Sequence, residues 1–326
     1  MIALDKLYQA DRRVLGQAIT LLESTRHDHR LQAEAMLGQI MPYTGNALRI
    51  GISGVPGVGK STFIDAFGRL VIDCGHKVAV LTVDPSSMVS GGSILGDKTR
   101  MAALATHPDA YIRPSPSGNT LGGVARRTRE AILVCEAAGF DIIIVETVGV
   151  GQSETLVSEM TDIFLLLLLP GAGDELQGIK RGIMELADIA IVNKADGDLV
   201  RVASTAVADI HHALQLLKPR QARWQVPVFS ISALHNEGVE QVWQAVQAYR
   251  RNIEQDEGLI SRRNEQAAHC LWRETADYLL HYLRENSAIS STFKDLQQQV
   301  RDGTIAPSVA ARRLADSFVK SSDKSG

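Results

Sequence analysis

Between Leu48 and Ser232 the apolar residues fall in short, nearly unbroken runs: Leu48 to Ile52, Val78 to Val83, Ile142 to Val145, Ile163 to Leu169, Ile189 to Val192 and Val226 to Ile231. Strands buried on both faces need such runs, and the helix-length segments between them let successive strands lie parallel. The pattern predicts an α/β fold built on a doubly wound, mostly parallel sheet, with its loops gathered at the carboxyl ends of the strands. Before it, Val14, Leu15, Ala18, Ile19 and Leu22 recur at helical spacing, and Leu31, Ala35 and Ile40 do so ahead of Pro42. Residues 1–45 are therefore expected to form an N-terminal helical arm. Val239, Val242, Trp243 and Val246 predict a helix that closes a main domain of residues 46–256. Beyond it the strands stop. Residues 257–326 carry amphipathic segments at Ala268 to Leu283, Phe293 to Val300 and Ser308 to Phe318. These hold too little core to stand alone, so they are expected either to pack on the main domain or to form a dimer interface with the N-terminal arm.

Composition narrows the partners. A chain of 326 residues with 45% apolar content can bury one large core, and its net charge of −3 includes no basic run. No nucleic-acid face and no polybasic membrane patch is indicated, which favours a protein or small-molecule partner. Cys74, Cys135 and Cys270 are odd in number and far apart, as suits a reducing compartment, and are expected to be buried small hydrophobes. The N-terminus lacks the pattern of a signal peptide, and Leu165 to Leu169 is too short to span a bilayer, so the expected location is cytoplasmic with no membrane association.

The chemistry is concentrated in a few loops. Gly54-Val55-Pro56-Gly57-Val58-Gly59-Lys60-Ser61-Thr62 contains a complete G-x4-G-K-S run between a strand-like and a helix-like stretch. In that context the glycines let successive backbone N–H groups face a phosphate chain, and the following helix adds its positive end. Lys60 is expected to reach the β- and γ-phosphates, and Ser61 to offer its hydroxyl to Mg2+. This makes the sheet a P-loop NTPase sheet with N- and C-terminal helical extensions.

Asn193-Lys194-Ala195-Asp196, following the run that ends at Val192, has the form of a guanine reader. The Asp196 carboxylate can accept from the N1–H and 2-amino donors of guanine, whereas adenine would leave it unpaired. The Lys194 stem can lie over the base, and the Asn193 amide can tie this loop to the phosphate loop. Ser232-Ala233-Leu234 follows the last apolar run, and there the Ala233 N–H is expected to face guanine O6.

Three further loops are candidates to sense the γ-phosphate. Glu146 ends a strand and is expected to support Mg2+, through water because Mg2+ retains its own waters. Gly149 can offer its N–H to the γ-phosphate, with Val150 to Glu154 as a switch element. Asp84, before Pro85, and Asp97, in a Gly-rich stretch, are candidates for metal support or water activation; a strand-end Asp before Pro is otherwise a turn former. Val150 stands where small signalling GTPases keep a water-orienting glutamine. No arginine finger stands out in cis either, although Arg100 and Arg113 are candidates. Slow hydrolysis that a partner accelerates is the expectation.

These blocks, with Gly91 to Met101, Glu146 to Glu154 and Gly171 to Lys180, resemble the MeaB/ArgK GTPases over nearly the whole chain. The resemblance implies a homodimeric GTPase, binding GTP/GDP and Mg2+, that gates loading, protection and repair of the adenosylcobalamin cofactor of methylmalonyl-CoA mutase or a related acyl-CoA mutase. It also implies contact with adenosylcobalamin through that partner, partner coupling through Gln152, Asp174, Gln177 and Lys180, and dimerisation through the tail helices. Competing readings are a protein kinase linked to arginine and ornithine transport, which would need ATP; a metal-insertion GTPase, for which His211-His212 is the nearest approach to a ligand cluster; and a scaffold that binds nucleotide without turnover.

Overall fold

The computed structural model describes residues 2–83, 101–114, 121–147, 153–171, 181–217, 221, 223–255, 258–285 and 287–322. Seven strands form one sheet: β1 (Leu48–Gly54), β2 (Val78–Val83), β3 (Ala110–Arg113), β4 (Ile142–Thr147), β5 (Ile163–Leu168), β6 (Ile189–Val192) and β7 (Val228–Ser230). Their spatial order is β3-β2-β4-β1-β5-β6-β7, and every pairing is parallel. The chain first builds outward from β1 on one side, then returns and builds on the other. The crevice where the order reverses lies beside β1, and the phosphate loop follows that strand.

Two differences from the sequence pattern have simple causes. Strand β3 was not anticipated: Ala110-Tyr111-Ile112-Arg113 is short, lies at the sheet edge and buries only alternate residues, so it presents no apolar run. Strand β7 starts later than Val226 because Pro227 has no N–H to donate to the ladder, although its carbonyl accepts from Ala190 at 3.0 Å.

Alternate residues of the central strands go to opposite faces. Ile50, Ile52, Ile142, Ile144, Leu165 and Leu167 pack with Phe63, Ile64 and Phe67 of α4 (Lys60–Asp73) and with Val242, Trp243 and Val246 of α10 (Val239–Glu254). On the opposite face, Ile143, Val145 and Phe164 meet α6 (Leu121–Ala137) and the N-terminal helices α1 (Leu4–Tyr8), α2 (Arg12–Glu23) and α3 (His27–Ile40). Asp11 caps α2 by accepting from the N–H groups of Arg13 and Val14 at 2.9 and 3.0 Å. In α3 the buried residues are Ala33, Met36 and Ile40, while Leu31 and Ala35 point outward. The i, i+3, i+7 set won over the i, i+4 pair because Leu37 extends its stripe. The N-terminal helices thus share the core of the sheet. Further along, Ala203, Ala206 and Ile210 of α9 (Val200–Gln215) cover Leu166, Leu168, Ala190 and Val192. The remaining short helices of this region are α5 (Ala102–Thr106), α7 (Ser153–Ser158) and α8 (Arg181–Met184).

The chain divides into two compact units, Met1–Gln266 and Ala267–Gly326. Helix α11 (Gly258–Glu285) begins in the first; the second comprises its remainder with α12 (Ser287–Arg301) and α13 (Pro307–Ser322). Within the second unit, Tyr282 and Phe318 meet edge to face with ring centroids 5.9 Å apart. The cysteines correct the sequence expectation: Cys135 is buried, but Cys74 is exposed and Cys270 partly so. Among the described residues no helix is long and apolar enough to cross a membrane.

Candidate functional site

The phosphate loop runs from the end of β1 into α4, and its geometry depends on glycine. Gly59 caps α4 at φ +93°, and a Cβ placed there would lie 2.6 Å from the Asn193 amide nitrogen. Only a residue without a side chain permits both that backbone and that approach. Lys60 is buried, and its Nζ donates to the Gly54 carbonyl at 2.7 Å and the Val55 carbonyl at 3.4 Å. Burial pushes its ammonium below lysine's usual range, and the carboxylates of Glu146 and Glu154 act in the opposite direction. A cation held there by backbone carbonyls is poised to exchange them for phosphate oxygens.

The loop after β6 reaches the same place. Asn193 is buried; its Nδ2 donates to the Val58 carbonyl at 2.8 Å, and its Oδ1 accepts from the Ala233 N–H at 3.1 Å. One side chain thereby ties the phosphate loop, the β6 loop and the β7 loop together. Lys194 occupies the left-handed region at φ +60°, costly for a residue with a side chain and found where surrounding contacts impose it. Asp196 Oδ2 accepts from the Ser232 hydroxyl at 2.6 Å, which fixes the plane of the carboxylate. The expected role of Ala233 changes in one respect. Its N–H, anticipated to face guanine O6, is donated to Asn193 and joins loops instead. Leu234 beside it is 73% exposed.

On the sheet's inner side, Glu146 is buried at the end of β4, and the Ser61 hydroxyl donates to its Oε1 at 3.4 Å. A hydroxyl and a carboxylate brought together at the head of α4 form an oxygen donor set suited to a hard divalent cation such as Mg2+. Thr147 donates to Ser53 at 2.9 Å and locks the end of β4 to the end of β1. Asp84, Asp97, Arg100, Gly149, Gln152, Asp174, Gln177 and Lys180 lie outside the described residues. Arg113 is bound by Glu23 of α2 at 2.5 and 3.2 Å, so it anchors the N-terminal helices and is committed away from the role of arginine finger. His211 and His212 sit on α9 with ring centroids 6.4 Å apart, nearly perpendicular, as adjacent helical positions dictate.

Sequence reasoning missed a polar clamp at the amino ends of the strands. Asp162, fully buried before β5, accepts from the Arg49 N–H at 2.8 Å and from Arg263 at 2.8 and 2.6 Å; Arg263 also donates to the carbonyls of Gly45 and Ala47. Asp188, before β6, accepts from the Phe164 N–H at 2.8 Å and the Tyr249 hydroxyl at 2.9 Å, with Arg262 at 3.6 Å. Burial opposes the Arg262 and Arg263 charges, but their acidic neighbours outweigh it and hold both guanidiniums above the usual range. The only trace in the sequence is an Asp leading each of two apolar runs.

A parallel sheet whose central strand feeds a G-x4-G-K-S loop, joined through one asparagine to an N-K-x-D loop, defines a P-loop GTPase. The chain belongs to the MeaB family: the family model described as "Methylmalonyl Co-A mutase-associated GTPase MeaB" matches residues 15–288. A relative in Caulobacter vibrioides described as a GTPase is 50% identical over 96% of this chain and 96% of its own. GTPase ArgK of Escherichia coli is 44% identical over 95% of this chain and 94% of its own. The mouse mitochondrial protein named methylmalonic aciduria type A homolog is 42% identical, covering 96% of this chain and 79% of its own. A crystal structure titled LAO/AO transport system kinase superposes with a TM-score of 0.78 at 38% identity, covering 97% and 96% of the two chains.

Proposed function

We propose that this GTPase couples its nucleotide cycle to an adenosylcobalamin-dependent acyl-CoA mutase of the methylmalonyl-CoA type, gating the loading, protection and repair of the mutase's cofactor. The observation that carries the nucleotide half is the Asn193 bridge, which holds the phosphate loop at 2.8 Å and the Ser232 to Leu234 loop at 3.1 Å, so base and phosphates are read by one connected unit. In this reading Asp196 selects guanine, and Lys60 neutralises charge developing on the β–γ bridge oxygen. Asp84 and Gly149 hold the attacking water and the γ-phosphate. Ser61, Glu146, Asp84 and Asp97 would hold Mg2+, which when bound polarises the phosphoryl oxygens.

Support for the mutase half comes from membership of a family described as mutase-associated and from the mouse relative's name. Homodimerisation through the C-terminal unit belongs to the same proposal. It is supported by Leu271, Trp272 and Tyr282, which are 69%, 78% and 61% exposed on α11 and give a dimer apolar area to bury. The domain division of residues 1–45, 46–256 and 257–326 is likewise proposed as arm, GTPase core, and dimer or partner arm.

The test is single-turnover GTP hydrolysis with and without a methylmalonyl-CoA mutase, together with a pull-down in GTP analogue and in GDP. Acceleration and nucleotide-dependent capture are expected; equal rates and no capture would remove the mutase reading. The kinase title of the solved relative supports a second reading, phosphorylation of a transport protein. That activity requires ATP, and competition of ATP against GTP for binding separates the two.

A further inference from the structure

The loop after β7 is closed on itself. Ser232 and Glu237 exchange both backbone hydrogen bonds at 3.0 Å, an isolated antiparallel pair that folds residues 232–237 into a tight turn. Two residues make that closure possible. Asn236 sits in the left-handed region at φ +58°, which asparagine tolerates better than most side chains. Gly238, at φ +76°, leads the turn into α10, and a Cβ there would lie 2.9 Å from the Ile231 Cγ2 methyl and 3.0 Å from the Ser230 carbonyl oxygen. Ile231 is β-branched and buried, so it has little room to yield. Inside the turn, the His235 N–H donates to the Ser232 hydroxyl oxygen at 3.3 Å, while that hydroxyl donates to Asp196 at 2.6 Å. Ser232 thus commits its backbone to Glu237 and its side chain to a line running from His235 to Asp196.

We propose that the turn from Ser232 to Gly238 is a clasp that sets guanine selectivity from outside the N-K-x-D loop, with Gly238 as the positioning residue that keeps it shut. The inference rests on the reading that Asp196 selects guanine. The physical reason is rotational freedom. A serine hydroxyl has one donor and two acceptor positions and turns about its C–O bond. The His235 N–H occupies an acceptor position, which leaves the hydroxyl proton directed at the carboxylate. Asp196 then keeps one plane, with its remaining acceptor positions fixed for the N1–H and 2-amino donors of guanine. A grip on two donors needs both acceptor positions aimed at once, so a carboxylate freed to turn loses the second hydrogen bond first. Because the clasp is closed by its own backbone bonds, it needs no base to form it, and the ordering of the reader adds no cost to binding.

The experiment measures binding of GTP and ITP by the full chain at fixed Mg2+, for wild type, Gly238→Ala, Ser232→Ala and Asp196→Ala. Hypoxanthine is guanine without the 2-amino group, so the ratio of GTP to ITP affinity reports the second hydrogen bond alone. Wild type should favour GTP on the order of tenfold or more, the weight of one hydrogen bond to a charged group, and Asp196→Ala should lose that preference. If wild type shows no preference, or Asp196→Ala keeps it, the base-reading assignment fails and the clasp falls with it. With those controls met, Gly238→Ala should bring the ratio down to about threefold or less, weakening GTP far more than ITP. A ratio kept at the wild-type value, or equal weakening of both nucleotides, marks a glycine needed for packing alone and overturns the proposal while Asp196 stands. Ser232→Ala removes one hydroxyl and leaves the backbone bonds in place, so it decides the matter if the glycine variant does not fold. It should lower the ratio to the same extent, and a wild-type ratio in that variant also overturns the proposal.

Discussion

Replacing Asp196 with asparagine changes one oxygen for an NH2 group and leaves the shape of the side chain intact. The wild-type carboxylate is oriented by the Ser232 hydroxyl at 2.6 Å and by a loop pinned through Asn193. Its remaining acceptor capacity is therefore aimed rather than mobile. Guanine presents two donors to it. Asparagine offers one acceptor and one donor, so one charge-assisted hydrogen bond, on the order of 1.5–3 kcal/mol, is lost and two donors are left facing each other. A net loss of about 3 kcal/mol corresponds to roughly a hundredfold weaker GTP binding. Xanthine carries an oxygen where guanine has its 2-amino group, and that oxygen matches the new donor. Competition titrations of the variant with GTP, XTP and ATP should accordingly show GTP weakened, XTP improved and ATP unchanged, with the circular dichroism spectrum preserved. Unchanged GTP affinity, or an XTP affinity no better than that of wild type, would refute the reasoning that Asp196 reads the base.

Three other perturbations test separate parts of the structure. Gly59→Ala places a methyl group 2.6 Å from the Asn193 amide at a backbone φ of +93°, so isothermal titration should show nucleotide binding weakened at least about tenfold, with the fold retained. Arg263→Ala strips the fully buried Asp162 of its bidentate partner; such losses cost about 3–5 kcal/mol, and thermal unfolding should move down by roughly 10 °C. Burial raises the Cys135 thiol pKa well above its ordinary value, whereas Cys74 is exposed. A native thiol titration at pH 8 should therefore modify Cys74 quickly and reach Cys135 only after denaturant is added.

Much of the nucleotide site was legible in the chain because its chemistry is local. The glycines, Lys60 and Ser61 act within a single loop, and Asn193 to Asp196 act within another, so residue type and spacing carry the information. The strands of the sheet were legible for a similar reason: burial on both faces leaves no polar position to interrupt the run, as Ile142, Ile143, Ile144 and Val145 illustrate by dividing alternately between the two cores. Strand β3 escaped because an edge strand buries only one face.

What the tertiary structure alone decided are the pairings between residues remote in sequence. Asn193 meets Val58 across 135 positions, Arg263 meets Asp162 across 101, and Gln266 meets Ser158 across 108. The sequence permitted Asn193 to bridge two loops, but it pointed the Ala233 N–H at guanine O6 and offered Arg113 as an arginine finger. The fold assigned Ala233 to Asn193 and Arg113 to Glu23. The physical reason is that a hydrogen-bonding or charged group shows its type in the chain but not its partner. Which partner it finds depends on which strand ends and helix faces the packed sheet brings within about 3 Å, and only burial makes that choice energetically binding.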